Sequence, residues 1–211
     1  MSKPLFSVFR VPRTGSTLAK RALQVVATFP PGECSHDPFT PTAPLIITIR
    51  DWRDVLYSQW RIRFGGKHER PNIAQLRLAM EVVDKRLGQL ARMCDATPEF
   101  HEWRYEGTYK DVGAVARKLY ALTGEWPDAP DMVQITEAVL PARAMSVQKT
   151  VEPSPTGRDF DAFDAATGIH RDHIGPQRGR PGAWRQVIPS EYHDEINEHY
   201  SDALTRWNYQ E

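Results

Sequence analysis

Three short clusters of this sequence put cations and hydroxyls where they could hold anions. The first is Pro12-Arg13-Thr14-Gly15-Ser16-Thr17, between an apolar β-prone run at 6–11 and a stretch of helical pattern with apolar Leu18, Ala22, Val25, Val26 and Phe29. A strand, a tight turn and a helix start make an anion site. The first helical N–H groups have no intrahelical partners, and the helix dipole adds positive potential there. Ser16 and Thr17 add hydroxyl donors, and Arg13 adds a permanent forked cation. The second cluster runs from Arg50 through Arg53, Asp54 and Val55 to Ser58. Arg50 closes a β-branched run, at the strand end where open parallel sheets bind ligands. The third is Arg178-Gly179-Arg180-Pro181-Gly182-Ala183-Trp184-Arg185. Glycines between cations let backbone N–H groups approach an anion closely.

Each cluster also has a plainer reading. Against the pattern G-x-x-x-x-G-K-[ST], Gly15 and Thr17 fit, but Arg10 stands at the first glycine and Ser16 at the lysine. The turn therefore suits a phosphate but lacks the lysine of a nucleoside-triphosphate loop. Arg50 could pair with Asp51 or Asp54 as ordinary charge, and the third cluster could be a solvated basic loop.

The elements that must position these clusters follow from periodicity. The run 45–49 reads as a strand buried on both faces, and 100–105 as a second interior strand. Helices are predicted over 52–62, over 72–94, after Thr108 or Asp111 as far as Gly124, over 132–140, and from about 190. The 72–94 pattern allows a coiled-coil seam, but a helix covering a sheet is the simpler reading. Residues 151–183 are rich in Pro, Gly, Asp and Arg and read as a long loop. Strands alternating with helices imply an α/β fold with a central parallel sheet.

Composition narrows the function. The 211 residues suit one domain, 1–211, and 27 basic residues balance 27 acidic ones. No global field favours nucleic acid or a membrane surface, and no apolar run reaches the roughly 20 residues of a span. Cys34 and Cys94 form no framework or metal spacing, which suits a reducing, cytoplasmic setting.

Taken in order, the three clusters resemble the sulfotransferases that use 3′-phosphoadenosine 5′-phosphosulfate (PAPS). Residues 12–17 match the family's 5′-phosphosulfate loop, P-[KR]-[ST]-G-[ST]-T, at every position. Arg50, Arg53, Asp54, Val55 and Ser58 match its R-x-x-[RK]-D-V-x-x-S pattern. Residues 177–184 match its R-K-G-x-x-G-x-W loop, with Gln177 for the first cation and Ala183 for a frequent Asp. Trp103-Arg104-Tyr105-Glu106 fits a strand ending common in the family.

The resemblance implies a three-layer P-loop NTPase-like fold and sulfuryl transfer to a hydroxyl or amine of a small-molecule or carbohydrate acceptor, with no metal. It implies that Arg13 offsets charge at the breaking bond. The turn Thr14, Gly15, Ser16 and Thr17 would hold the 5′-phosphate. Arg50, Ser58, Arg178, Gly179 and Arg180 would hold the 3′-phosphate. The family often uses the glutamate of a Glu-Pro pair as general base, and Asp37-Pro38 stands there. Asp37 is thus the first candidate, His36 the second for its near-neutral pKa, and Glu33 the third. Asp37 could instead cap a turn. His170 and His173 read as loop residues, and the six tryptophans mostly as core, with Trp184 a candidate neighbour of the donor's base and Trp52 and Trp60 candidate walls of the acceptor cleft. Competing readings are a small-molecule or nucleotide kinase and a non-catalytic nucleotide-binding module.

Overall fold

The computed structural model describes residues 3–64, 70–140, 145–146, 149–152 and 177–209. It is an α/β arrangement around a four-stranded, all-parallel sheet with strand order β2-β1-β3-β4. The strands are β1 (Ser7–Phe9), β2 (Cys34–Ser35), β3 (Leu45–Ile49) and β4 (Phe100–Arg104). The helices are α1 (Ser16–Val26), α2 (Trp52–Phe64), α3 (Ile73–Ala96), α4 (Val112–Thr123), α5 (Ala129–Val139), α6 (Trp184–Val187), α7 (His193–His199) and α8 (Ser201–Arg206).

Strand alternation divides the core into two clusters, one on each face of the sheet. Phe9, Leu45, Ile47 and Ile49 face α2, α3 and the C-terminal helices. Val8, Ile46 and Trp103 face α1, α4 and α5. All of β3 is buried, as a central parallel strand covered on both sides must be. The long α3 buries Leu76, Met80, Val83, Leu90 and Met93 in the first cluster, so it covers the sheet and the coiled-coil alternative falls away.

Several predicted boundaries move. Helix α1 stops at Val26 with Ala27 as C-cap, leaving Phe29 outside it. Helix α5 starts earlier than its apolar pattern, because Asp128 caps it and Pro130 sits in its first turn. The single C-terminal helix expected from 190 is instead a 3-10 turn (Ser190–Tyr192) followed by α7 and α8, which break at Tyr200. Its apolar stripe is nevertheless buried: Ile196, Tyr200, Leu204 and Trp207 all join the core. Most of the expected long loop, including His170 and His173, lies outside the described residues. Among the described residues no helix is long and apolar enough to cross a membrane.

Candidate functional site

The chain leaves β1 through α1 to β2 on one side, and continues from β3 to β4 on the other. The strand order therefore reverses between β1 and β3, and the turns after these two strands share one edge. That crevice is where open parallel sheets place ligands.

The turn after β1 is built by local hydrogen bonds. The Thr14 hydroxyl donates to the Val11 carbonyl at 2.6 Å, and the Val11 N–H donates to Thr48 Oγ1 at 3.0 Å. The two threonine oxygens lie 2.7 Å apart. Since the Thr14 proton is spent on Val11, Thr48 is the donor between them. The turn is thus pinned to β3, and the Thr14 side chain faces inward, fully buried. Arg13 and Gly15 both take left-handed backbones, with φ of 70° and 73°. For a non-glycine residue that conformation is uncommon and costs energy, and it is found at sites that a surrounding structure enforces. Gly15 caps α1 with no side-chain hydrogen bond, so no side chain satisfies the first-turn N–H groups. Ser16 is buried and Thr17 half-buried at that helix start.

The residues 177–184 come to the same edge. The Asp54 carboxylate accepts from the Gly182 N–H at 2.7 Å and the Trp184 N–H at 3.1 Å. Arg50 Nη2 reaches Asp54 at 3.2 Å and donates to the carbonyls of Gly179 at 3.1 Å and Arg180 at 3.4 Å. Tyr105 donates its hydroxyl to the Gly179 carbonyl, and Tyr109 to that of Arg178. The Arg178 and Arg180 side chains are exposed, and neither has a hydrogen-bond or ion-pair partner among the described residues. Arg178 is the second strained arginine, with φ 53°.

Arg50 and Arg53 are both buried, and they differ in role. Arg53 gives its guanidinium to Asp51 and to Asn197 Oδ1, and lies over the Trp184 ring. It is a brace between α2 and α7. Arg50 spends Nη2 on the 177–184 loop, while its buried Nε has no partner. Ser58 is half-buried on α2, one turn beyond Asp54 and on the same face. Trp52, Trp60 and Trp184 are packed in the core. This agrees with the reading of the tryptophans as mostly core: large apolar rings at these helical positions are drawn into the sheet-helix interface.

The three base candidates occupy different levels of the edge. Glu33 lies beside Ser7, near the start of β1. Its Oε2 accepts from the Ser7 hydroxyl and the Thr42 N–H, and its Oε1 accepts from the Thr42 hydroxyl. Those bonds, Ser7's foremost, hold its pKa below the ordinary range. His36 lies three strand positions further on, with Nδ1 on the Arg10 carbonyl. A carbonyl can only accept, so Nδ1 carries the proton and Nε2 keeps its lone pair. Burial and then the Arg10 charge push the His36 pKa down to about 4, with Arg86 and Arg13 adding to the effect. Asp37 is exposed, its N–H on Ser35 Oγ.

Burial, then the like charges of Arg61 and Arg86, lower the Arg13 pKa to about 10. Arg10 adds a second buried, unpartnered Nε. The edge beside β1 is thus strongly cationic. Among the described residues no group of His, Cys, Asp or Glu converges as a metal site would.

Sequence reasoning overlooked Tyr105 as a site residue. A Cβ on Gly15 would lie 2.1 Å from its Cδ2, one on Gly179 would lie 2.6 Å from its hydroxyl, and Arg50 sits 4.4 Å over its ring. The signal was present as an aromatic directly after an interior strand. Comparison with family models, curated proteins and solved structures gave no match to this chain.

Proposed function

We propose that the chain is a PAPS-dependent sulfotransferase with a P-loop-like anion turn. One observation carries the reading: two separate cationic turns, 12–17 and 177–182, meet at one sheet edge. A donor with a phosphosulfate at one end and a 3′-phosphate at the other needs two such grips. The residues fit that ligand. The turn after β1 offers uncapped N–H groups and Arg13, and the distant loop offers the exposed cations Arg178 and Arg180.

In this reading the turn 14–17 and Arg13 hold the phosphosulfate, whose sulfuryl group supplies the transferred unit. Arg50 and Asp54 hold the 177–184 loop in place for the 3′-phosphate, with Ser58 beside them. Transfer breaks the sulfur–oxygen bond to phosphate and forms one to the acceptor oxygen or nitrogen. The acceptor's proton passes to a base, and adenosine 3′,5′-bisphosphate leaves. Such in-line transfers depend on position and charge stabilisation more than on covalent chemistry. In this reading Arg13 offsets charge on the leaving oxygen.

The geometry favours His36 over Asp37 as base. Its Nε2 lone pair is set by the Arg10 bond, and it lies in the electrostatic reach of Arg13. Glu33 has both oxygens engaged within the fold. A dianionic donor neutralising Arg10, Arg13 and Arg86 would raise the His36 pKa toward the range of an effective base. A kinase reading is disfavoured by Ser16, buried where a lysine would have to reach the phosphates.

Isothermal titration tests the assignment. Adenosine 3′,5′-bisphosphate should bind without Mg²⁺. If ATP bound only with Mg²⁺ and the bisphosphate did not bind, the proposal would fall. Arg13→Ala should abolish transfer from PAPS while retaining much of the donor affinity. The pH–rate profiles of His36→Ala and Asp37→Asn identify the base by which one loses the basic limb.

A further inference from the structure

We propose that Tyr105 is a positioning residue that locks the two anion-binding turns into one unit, so that affinity gained at one turn depends on the other. The inference rests on the reading of both turns as phosphate grips, and it concerns how they are held at one spacing.

Tyr105 follows β4, and its N–H donates to the Ile49 carbonyl at 3.0 Å, which fixes it at the sheet edge. Its ring then stands between the two turns. Gly15 is pressed against the ring edge so closely that a methyl group would overlap Cδ2 at 2.1 Å. Gly179 is pressed against the phenol tip, where a methyl group would stand 2.6 Å from the oxygen. Neither approach is possible for a residue with a side chain, and both glycines have positive φ. The hydroxyl donates to the Gly179 carbonyl at 2.9 Å, and Arg50 takes the same carbonyl from a guanidinium lying over the ring. One rigid aromatic therefore touches the 5′-side turn, the 3′-side loop and the arginine between them. Burial keeps the phenol protonated, and thus a donor, throughout the neutral range.

A rigid spacer of this kind selects ligands by the distance between their anions. It also shares the cost of ordering: a ligand that settles one turn presses it on the ring that supports the other. A side chain that only filled space would alter the binding of every ligand alike.

The test compares adenosine 3′,5′-bisphosphate, adenosine 5′-phosphate and adenosine 3′-phosphate by titration calorimetry on wild type, Tyr105→Phe and Tyr105→Leu. In wild type the bisphosphate should bind far more tightly than either monophosphate. In Tyr105→Leu the gain from adding the 3′-phosphate to adenosine 5′-phosphate should shrink by about tenfold or more, with the 5′-phosphate affinity little changed. Tyr105→Phe, which keeps the ring and the Arg50 stack, should lose about fivefold of that gain, the worth of one hydrogen bond. An undiminished gain in both variants overturns the proposal, and so does an equal loss for all three ligands. If Tyr105→Leu does not fold, the Tyr105→Phe result decides alone. Failure of wild type to bind the bisphosphate would instead strike the sulfotransferase reading itself.

Discussion

Asp54 and Gly182 are 128 positions apart, yet the Asp54 carboxylate accepts the Gly182 N–H at 2.7 Å. The same carboxylate takes the Trp184 N–H and faces Arg50. An aspartate read from sequence as part of a phosphate pattern is therefore the anchor of a distant loop. Burial raises its pKa, and the Arg50 charge opposes that rise.

Asp54→Ala should release the 177–184 loop and leave Arg50 buried beside carbonyls alone. Removing one member of a buried pair costs about 3–5 kcal/mol. The expected outcome is a loss of that order in denaturant unfolding, together with weakened binding of adenosine 3′,5′-bisphosphate. Asp54→Asn keeps the shape and one acceptor oxygen, so its loss should be smaller. Equal stability of wild type and Asp54→Ala would show that the pair does not hold the loop.

His36 should make stability depend on pH. Its folded pKa lies near 4, against 6.5 in an unperturbed imidazole. Between those values the unfolded chain binds the extra proton and the folded chain does not. Stability therefore rises with pH across the window, is fully present above it, and is lost as pH falls toward the folded pKa. The contribution is about 3 kcal/mol. Unfolding curves between these limits should show the slope in wild type and a flatter one in His36→Asn.

Gly15 and Gly32 separate backbone strain from contact. Both have positive φ, 73° and 79°, but a Cβ at Gly32 meets nothing within 4 Å. Gly32→Ala should cost only the left-handed penalty, about 1–2 kcal/mol. Gly15→Ala should add an overpacking cost of about 1–3 kcal/mol from the Tyr105 ring. Matched thermal denaturation of the two variants measures the difference, and equal losses would mean the ring yields freely.

Much of the architecture was legible because its signals are local. The β-branched run at 45–49 reads as a covered strand, and the apolar spacing of 72–94 as a helix whose simpler place is on a sheet, which the core confirms. The two cationic turns could likewise be read from glycines and arginines at fixed spacing. What could not be read depends on pairings distant in sequence. Glu33 looks like a free carboxylate until Ser7 and Thr42 are seen to fill its oxygens. Tyr105 looks like the end of a strand until two glycines are found against it. Arg53 matches the same pattern as Arg50, but a side chain on the buried face of α2 finds Asp51 and Asn197 first.

Arg53 supplies the remaining test, because its role is structural while its motif suggests ligand contact. It is 1% exposed, its Nε and Nη2 serve Asp51, and its Nη1 serves Asn197. Arg53→Met removes the cation and leaves the buried Asp51 carboxylate without a counter-charge, holding only the residue-53 backbone N–H, at a cost of about 3–5 kcal/mol. Asp51→Asn removes the orphaned charge, so the double variant should recover part of that loss. The cycle of wild type, two single variants and the double variant gives the coupling directly. Affinity for adenosine 3′,5′-bisphosphate, measured well below each variant's unfolding temperature, should stay near the wild-type value in the double variant. A large loss of affinity there, with stability restored, would instead place Arg53 among the groups that hold the donor.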